Sequence, residues 1–286
     1  MKPSPFEYHA PESVAEVVGL LAEHGDEAKP LAGGQSLVPM MSLRLAAYPH
    51  LVDLRRVESL RTIERVDGHV RVGAMVRQAV AETDELVADV PLLARAIPHI
   101  GHFQIRNRGT VGGSIAHADP ASELPAVALA LDAEMEVSGP GGNRRVPAAE
   151  FFESTWQTSL GEGEVLTAVD FPLWDAGAGF AVEEVARRHG DFALVGAVVG
   201  VRLNDDHVMD AAIAMFGVGT TPVRSAAGEA ALVAGGIDAD LREVGRAAAA
   251  HLEPTDDVHA SAAYRRQVAP TVVARALARA LEEARS

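Results

Sequence analysis

Two stretches with adjacent glycines constrain this chain more than any other feature. "LAGGQSLVPMMSLR" runs from Leu31 to Arg44, and "IRNRGTVGGSIAHADP" runs from Ile105 to Pro120. A glycine pair lets the backbone turn sharply and lets another group approach without a Cβ in the way. Successive N–H groups in such a turn form a concave nest for anions. On its own, "AGGQS" reads as a tight turn between a strand and the next segment. Two such loops, each with a hydroxyl or amide neighbour, point instead to a bulky ligand carrying phosphates, without naming it. Leu31, Leu37, Val38, Val111 and Ile115 are placed to meet its apolar rings. The net charge of −15 matters here. A diphosphate gains nothing from so acidic a field, so local N–H donors have to hold it.

The same charge argues against a nucleic-acid partner, because phosphate binding along a strand needs a basic stripe. With 286 residues, 48% apolar and 23% charged, the chain is globular and long enough for one large domain or two ordinary ones. There are no cysteines. That excludes disulfides, thiolate nucleophiles and Cys-ligated clusters, so any redox centre is a bound organic cofactor or sits on another chain. The opening "MKPSPFEYHAPES" has no apolar core of a signal peptide, and no apolar run reaches membrane-spanning length; the cytoplasm is expected.

Neither a Gly-x-Gly-x-x-Gly helix opening nor a P-loop is present. No catalytic residue is identified: Ser36 and Ser114 lack the Gly-x-Ser-x-Gly elbow. His99, His102 and His117 show no metal-ligand spacing, and no metal site is expected. Trp156 and Trp174 read as core or boundary residues. Arg106 and Arg108 either reach a phosphate or are solvated or paired with acids, and both readings stay open.

Local signals organise the rest. Ser13 and Glu16 make a capping box ahead of a helix that Gly25 stops. A short strand ends at Leu31, and "HLVDLRRV" reads as another. Asp67-Gly68 centres a hairpin. Helical pieces between Gln78 and Ile100 are interrupted by Pro91 and Pro98. "LPAVALALDA" is helical, and strands flank "PGGN". "EVLTAVDFPL" is a strand. "DAGAG", Asp175 to Gly179, marks a domain boundary. Three long strands follow, Phe180–Arg187, Ala193–Leu203 and His207–Val218, and then helices, with Pro270 starting a new helix or kinking the last. The fold class is α+β in two domains.

At this point "LAGGQSLVPMMSLRL" and "IRNRGTVGGSIAHADPASELPAVALALDA" matter as whole motifs. With "RRHGDFALVGAVVGV" and, more loosely, "SAAYRRQVAPTVVARAL", they resemble the FAD-binding medium subunit of the molybdenum hydroxylases, the carbon monoxide dehydrogenase and xanthine dehydrogenase family. The resemblance implies a vanillyl-alcohol-oxidase-type FAD domain of two α+β subdomains over residues 1–175. It implies a small antiparallel sheet with helices over 176–286. The implied cofactor is noncovalent FAD. Leu31, Ala32, Gly33, Gly34, Gln35, Ser36 and Leu37 correspond to the loop around its diphosphate. Thr110, Gly112, Gly113 and Ser114 correspond to the second loop, with Ala116 and His117 continuing along the cofactor. Ile100 and Gly101 fall beside the adenine half, Glu123 where a carboxylate takes a ribose hydroxyl, and Leu166 on a strand approaching the cofactor. Phe192 stands where this family often has a Tyr near the flavin ring, so the aromatic surface is kept and the hydroxyl is not. A family Lys falls at Glu183 or Glu184, and a carboxylate there would disfavour an anionic reduced flavin.

The resemblance also implies an assembly. Molybdopterin would lie on a large partner subunit and 2Fe–2S clusters on a small one, in a dimer of heterotrimers. This chain would receive electrons on FAD and deliver them to an acceptor. The rival readings are a stand-alone FAD reductase, for which no proton donor is visible, and a scaffold that has lost FAD, which intact glycine loops oppose.

Overall fold

The computed structural model describes residues 2–175 and 177–286. The chain opens with β1 (Glu7–His9), α1 (Val14–His24), β2 (Ala28–Leu31), α2 (Leu37–Ser42) and β3 (His50–Asp53). The strands form a parallel sheet in the order β1-β3-β2, with Leu31 opposite Asp53. α1 begins where the Ser13 hydroxyl accepts the Glu16 amide at 3.2 Å, and the Glu16 carboxylate accepts the Glu12 amide at 2.8 Å. It ends at Gly25, whose φ of 51° suits glycine. Val17 and Leu21 of α1 pack with Val52 and Leu54. The expected strand over "HLVDLRRV" is cut short because the Asp53 carboxylate accepts the Arg55 amide at 2.9 Å and bends the chain into a 3-10 turn.

A second sheet is antiparallel. It contains β4 (Ile63–Val66), β5 (His69–Gly73), β6 (Glu134–Gly139), β7 (Gly142–Pro147) and β8 (Val165–Pro172), ordered β4-β5-β8-β6-β7. Asp67 and Gly68 turn the first hairpin with φ of 44° and 82°, as a tight two-residue turn demands. α3 (Pro91–Ala96), α4 (Val111–His117) and α5 (Glu123–Ala130) pack against it. Pro91 opens α3 at its first turn, where a missing N–H costs nothing, so it starts a helix instead of interrupting one.

The third sheet comprises β9 (Ala178–Val185), β10 (Val195–Asn204), β11 (His207–Phe216) and β12 (Val223–Arg224), in that order. α6 (Ala226–Gly235), α7 (Leu241–Ala249) and α8 (Ala262–Ala284) follow. α8 runs through Pro270 as one helix of 23 residues, so no new helix starts there. Proline inside a helix costs about 3 kcal/mol. The buried Ala269, Val272, Val273, Ala276, Leu277 and Ala280 supply enough packing to offset it.

β10 is buried on both faces, which explains its unbroken apolar run. Val195, Ala197, Val199 and Val201 face α8, while Val198 faces the opposite way. There it joins Phe180, Val182 and Phe216 in one core with Leu92, Leu93, Leu124 and Val127 of α3 and α5. The expected boundary at "DAGAG" includes Ala176, which lies outside the described residues. On either side of it the apolar core is continuous. Glu283 of α8 tightens the junction: its carboxylate accepts from the Arg95 guanidinium of α3 and from the Phe180 amide at 2.9 Å. Among the described residues, no helix is long and apolar enough to cross a membrane.

Candidate functional site

The two glycine loops meet. A Cβ on Gly33 would overlap the Arg108 carbonyl and lie 2.7 Å from the Gly109 Cα. A Cβ on Gly113 would lie 2.6 Å from the Thr110 Oγ1 and 3.1 Å from the Ala32 Cβ. The loops therefore share a seam that only small residues allow. Of the two reasons for glycine, a sharp turn and a close approach, the second dominates here. Only Gly34, with φ of 74°, sits in the left-handed region; Gly33 and Gly113 do not, and their need is for close approach.

The loops differ in what their backbones do. In the second, Thr110 caps α4, its hydroxyl accepting the Gly113 amide at 3.0 Å. The Val111 amide donates to Val76, the Gly112 amide to Ala74, and the Ser114 amide to the Thr110 carbonyl. In the first, the Val38 amide donates to Gly34, and the Gln35 side chain donates to the Gly33 carbonyl at 3.1 Å. The amides of Gly33, Gly34, Gln35 and Ser36 find no acceptor among the described residues. They form the open end of a nest.

Beside that nest lies a cavity of about 320 Å³, bounded by Leu31 to Gln35, Val38 and Pro39 and by Asp53, Arg55 and Arg108. Asp53 is buried at the end of β3 and is held by three donors. Arg55 Nε and the Tyr8 hydroxyl each reach it at 2.7 Å, besides the Arg55 amide. Asp53 and Arg55 were not singled out in the sequence, because only the parallel register of β2 and β3 sets them against Leu31. The two readings of the arginine pair now separate. Arg106 is tied to Glu82 at 2.8 Å and donates to the carbonyls of Ile100 and Gly101, whereas Arg108 faces the cavity.

The remaining expected residues spread around this centre. Ser36 and Leu37 are half-buried at the start of α2. Val111 and Ile115 are fully buried in the core, so they support the second loop from below and do not reach a ligand. Ala116 and His117 end α4, and the His117 ring stacks on Trp156 with centroids 6.1 Å apart. Trp156 is 55% exposed, which overturns its expected core or boundary placement; its Nε1 donates to Asp119 at 3.2 Å. Trp174 does sit at the junction, against Phe180. Burial holds the His117 imidazole below its ordinary range. Leu166 lies within the core on β8. Gly101 touches Gly190 of the loop before Phe192, and Phe192 itself is exposed.

Glu123 is the first residue of α5 and is buried. Burial pushes its carboxyl up to about 8, with the nearby Glu184 adding to the shift. Glu183 and Glu184 alternate along β9, and each has a partner. Glu184 lies 3.2 Å from the His99 Nδ1, and Glu183 pairs with Arg279 of α8. The hydrogen bond that His99 donates to the Glu184 carboxylate raises its imidazole above the ordinary range.

An open amide nest beside a cavity, on this α+β scaffold, suits a bulky ligand carrying phosphates. Comparison with known proteins agrees. Residues 4–174 match the FAD binding domain in molybdopterin dehydrogenase, and residues 180–280 match the CO dehydrogenase flavoprotein C-terminal domain. The chain is 42% identical to the 6-hydroxypseudooxynicotine dehydrogenase complex subunit alpha of Paenarthrobacter nicotinovorans, covering 100% of this chain and 97% of that one. A chain of carbon monoxide dehydrogenase from Hydrogenophaga pseudoflava superimposes with a TM-score of 0.94 at 42% identity, over 99% of each. A chain of quinoline 2-oxidoreductase from Pseudomonas putida 86 gives a TM-score of 0.94 at 36% identity, over 100% of each. The chain belongs to the family of FAD-binding flavoprotein subunits of the molybdenum hydroxylases.

Proposed function

We propose that this chain is the electron-transfer subunit of a three-subunit molybdenum hydroxylase in the cytoplasm. Its FAD takes electrons from 2Fe–2S clusters on a small partner and passes them to an external acceptor. The organic substrate is oxidised at a molybdenum cofactor on a large partner. The single observation that carries this reading is the set of unpartnered amides from Gly33 to Ser36, opening onto a cavity in a chain without cysteine.

The residues present fit FAD. Unpartnered N–H groups beside this cavity suit a diphosphate, and Arg108 on the cavity wall offsets its charge within an acidic protein. Bound FAD supplies the redox chemistry at its flavin ring; the chain supplies position and electrostatics. Gly113 packs against Ala32 of the first loop, Thr110 and Gly112 fix the second loop that braces it, and Ser114 offers a hydroxyl to the cofactor. Glu123, protonated over much of the neutral range, can both donate to and accept from a ribose hydroxyl. Ile100 and Gly101 flank the adenine half, and Ala116, His117 and Leu166 support the cofactor's course. Phe192 offers an exposed aromatic face beside the flavin. The family Lys position is taken by carboxylates that already have partners, so neither stands as a free negative charge. In this reading residues 1–175 form the FAD-binding domain and 176–286 the small C-terminal domain.

Reconstitution tests the proposal. The chain loaded with FAD is mixed with an artificial dye and candidate N-heterocycles, aldehydes and carbon monoxide, first alone and then with both partners. Turnover is expected only in the full assembly. Substrate turnover by the isolated chain would promote the stand-alone reductase. A flavin that stays oxidised while the clusters are reduced would end the electron-transfer role. Acid precipitation should leave all flavin in the supernatant, since no cysteine is present for a thioether.

A further inference from the structure

We propose that His9, His24 and His50 form a binding site for a divalent transition metal of the zinc class, apart from the flavin site. Among the described residues they form a group in which one ring nitrogen from each lies within 4.8 Å of the others. The Nε2 of His9 is 3.1 Å from the Nδ1 of His50. The rings of His24 and His50 stack 3.8 Å apart at 6°, and His9 lies 5.3 Å from each. All three are half-buried.

The fold, not the spacing in sequence, brings them together. His9 ends β1 and His50 begins β3, and these strands pair in parallel with Glu7 opposite His50. In a strand, residues two apart share a face, so His9 lies on the side of Glu7, beside His50. His24 is the last residue of α1, which packs against Val52 of the same sheet.

The chemistry favours a cation. Neutral imidazoles are good ligands for zinc, copper, nickel and cobalt. Zn–N bonds of about 2.0–2.1 Å in tetrahedral geometry put ligand nitrogens about 3.3 Å apart, close to the His9–His50 separation. An acidic neighbour favours a cation here too: Glu7 Oε2 lies 3.7 Å from the His50 Nδ1. The protein's charge of −15 adds a favourable field.

The site stands at the far end of the flavin sheet. Ala28 pairs with His50 and Leu31 with Asp53, so the cluster and the cavity are three residues apart along β3, about 10 Å. A metal there would clamp α1 to β1 and β3 and would stabilise the folded state by binding it alone. It would take no part in flavin chemistry.

The test uses the full FAD-loaded chain without an affinity tag. Zn²⁺ is titrated by calorimetry, Co²⁺ by visible absorption, and thermal unfolding is followed with and without Zn²⁺. One tight Zn²⁺ per chain, a tetrahedral Co²⁺ spectrum and a raised melting temperature are expected. His24→Ala and His9→Ala should each weaken Zn²⁺ binding at least tenfold and abolish the thermal gain at unchanged flavin content. His207→Ala and His251→Ala, both at exposed positions, should change nothing. If His9→Ala fails to fold, His24→Ala at the helix end still decides. No metal uptake by the wild-type chain, or tight uptake that survives His24→Ala, would overturn the proposal.

Discussion

The two glycine loops look alike in sequence and do opposite things in the structure. In the first, the backbone amides from Gly33 to Ser36 have no partner among the described residues and the chain borders a cavity. In the second, the amides of Val111, Gly112, Gly113 and Ser114 are all engaged, by Val76, Ala74 and Thr110. One Gly-Gly pair leaves donors free for a ligand. The other engages its donors within the protein, and glycines of both loops let two pieces of protein touch. A glycine pair in sequence shows that something approaches closely, but not whether that something is a ligand or the protein itself.

The largest expected effect tests the bracing loop. A Cβ on Gly112 would overlap the backbone and side chain of Ala74. Gly112→Val should therefore cost about 3 kcal/mol or more through overpacking. The loss should appear in denaturant unfolding of the FAD-free chain as well as the loaded one. A Gly112→Val chain that unfolds like the wild type without FAD, yet binds none, would show the second loop to be a ligand loop too.

Next comes a control that lies in neither loop. Glu123 is raised from 4.5 to about 8 by burial. A raised carboxyl contributes stability that is complete below 4.5 and is lost as pH rises toward 8. The slope reaches at most about 1.4 kcal/mol per pH unit. His99, raised by Glu184, loses its contribution in the same direction as pH rises past its folded value. Unfolding of Glu123→Gln across pH 5 to 8 should show a flatter profile than the wild type, with the contrast between the loops intact. An unchanged profile would mean that Glu123 titrates normally.

Gly34→Ala probes the open loop. At φ of 74° an alanine is strained by about 1–2 kcal/mol, and its Cβ would lie 3.1 Å from the Val38 Cγ2. FAD affinity, read from flavin fluorescence, should fall about tenfold. The smallest effect is expected from Arg108→Gln. Loss of one exposed cation from the cavity wall should weaken FAD by about 1 kcal/mol, and less in high salt. Salt-independent weakening would point to lost packing instead.

Much of this was legible in the residues. The Asp67-Gly68 turn, the Ser13 cap, the apolar run of β10 and both glycine loops each express a local rule that tertiary structure respects. What could not be read depended on register and packing. Asp53 meets Leu31 only through the parallel pairing of β2 and β3. Val111 and Ile115 are apolar and next to a loop, yet they face the core. Arg106 and Arg108 are two residues apart and go to different partners. Pro270 sits inside α8 because the packing around it outweighs its cost. The three histidines are 15 and 26 residues apart, on three elements, with no ligand spacing to mark them.

The contrast between the loops is tested most directly by amide hydrogen exchange, measured residue by residue in the FAD-free and FAD-loaded chain. Gly33, Gly34, Gln35 and Ser36 should exchange rapidly without FAD and slow by at least tenfold when it binds, because they have no acceptor among the described residues. Val111 to Ser114 should be protected in both states. Slow exchange at Gly33 to Ser36 before FAD is added, or no change there on loading, would contradict the account.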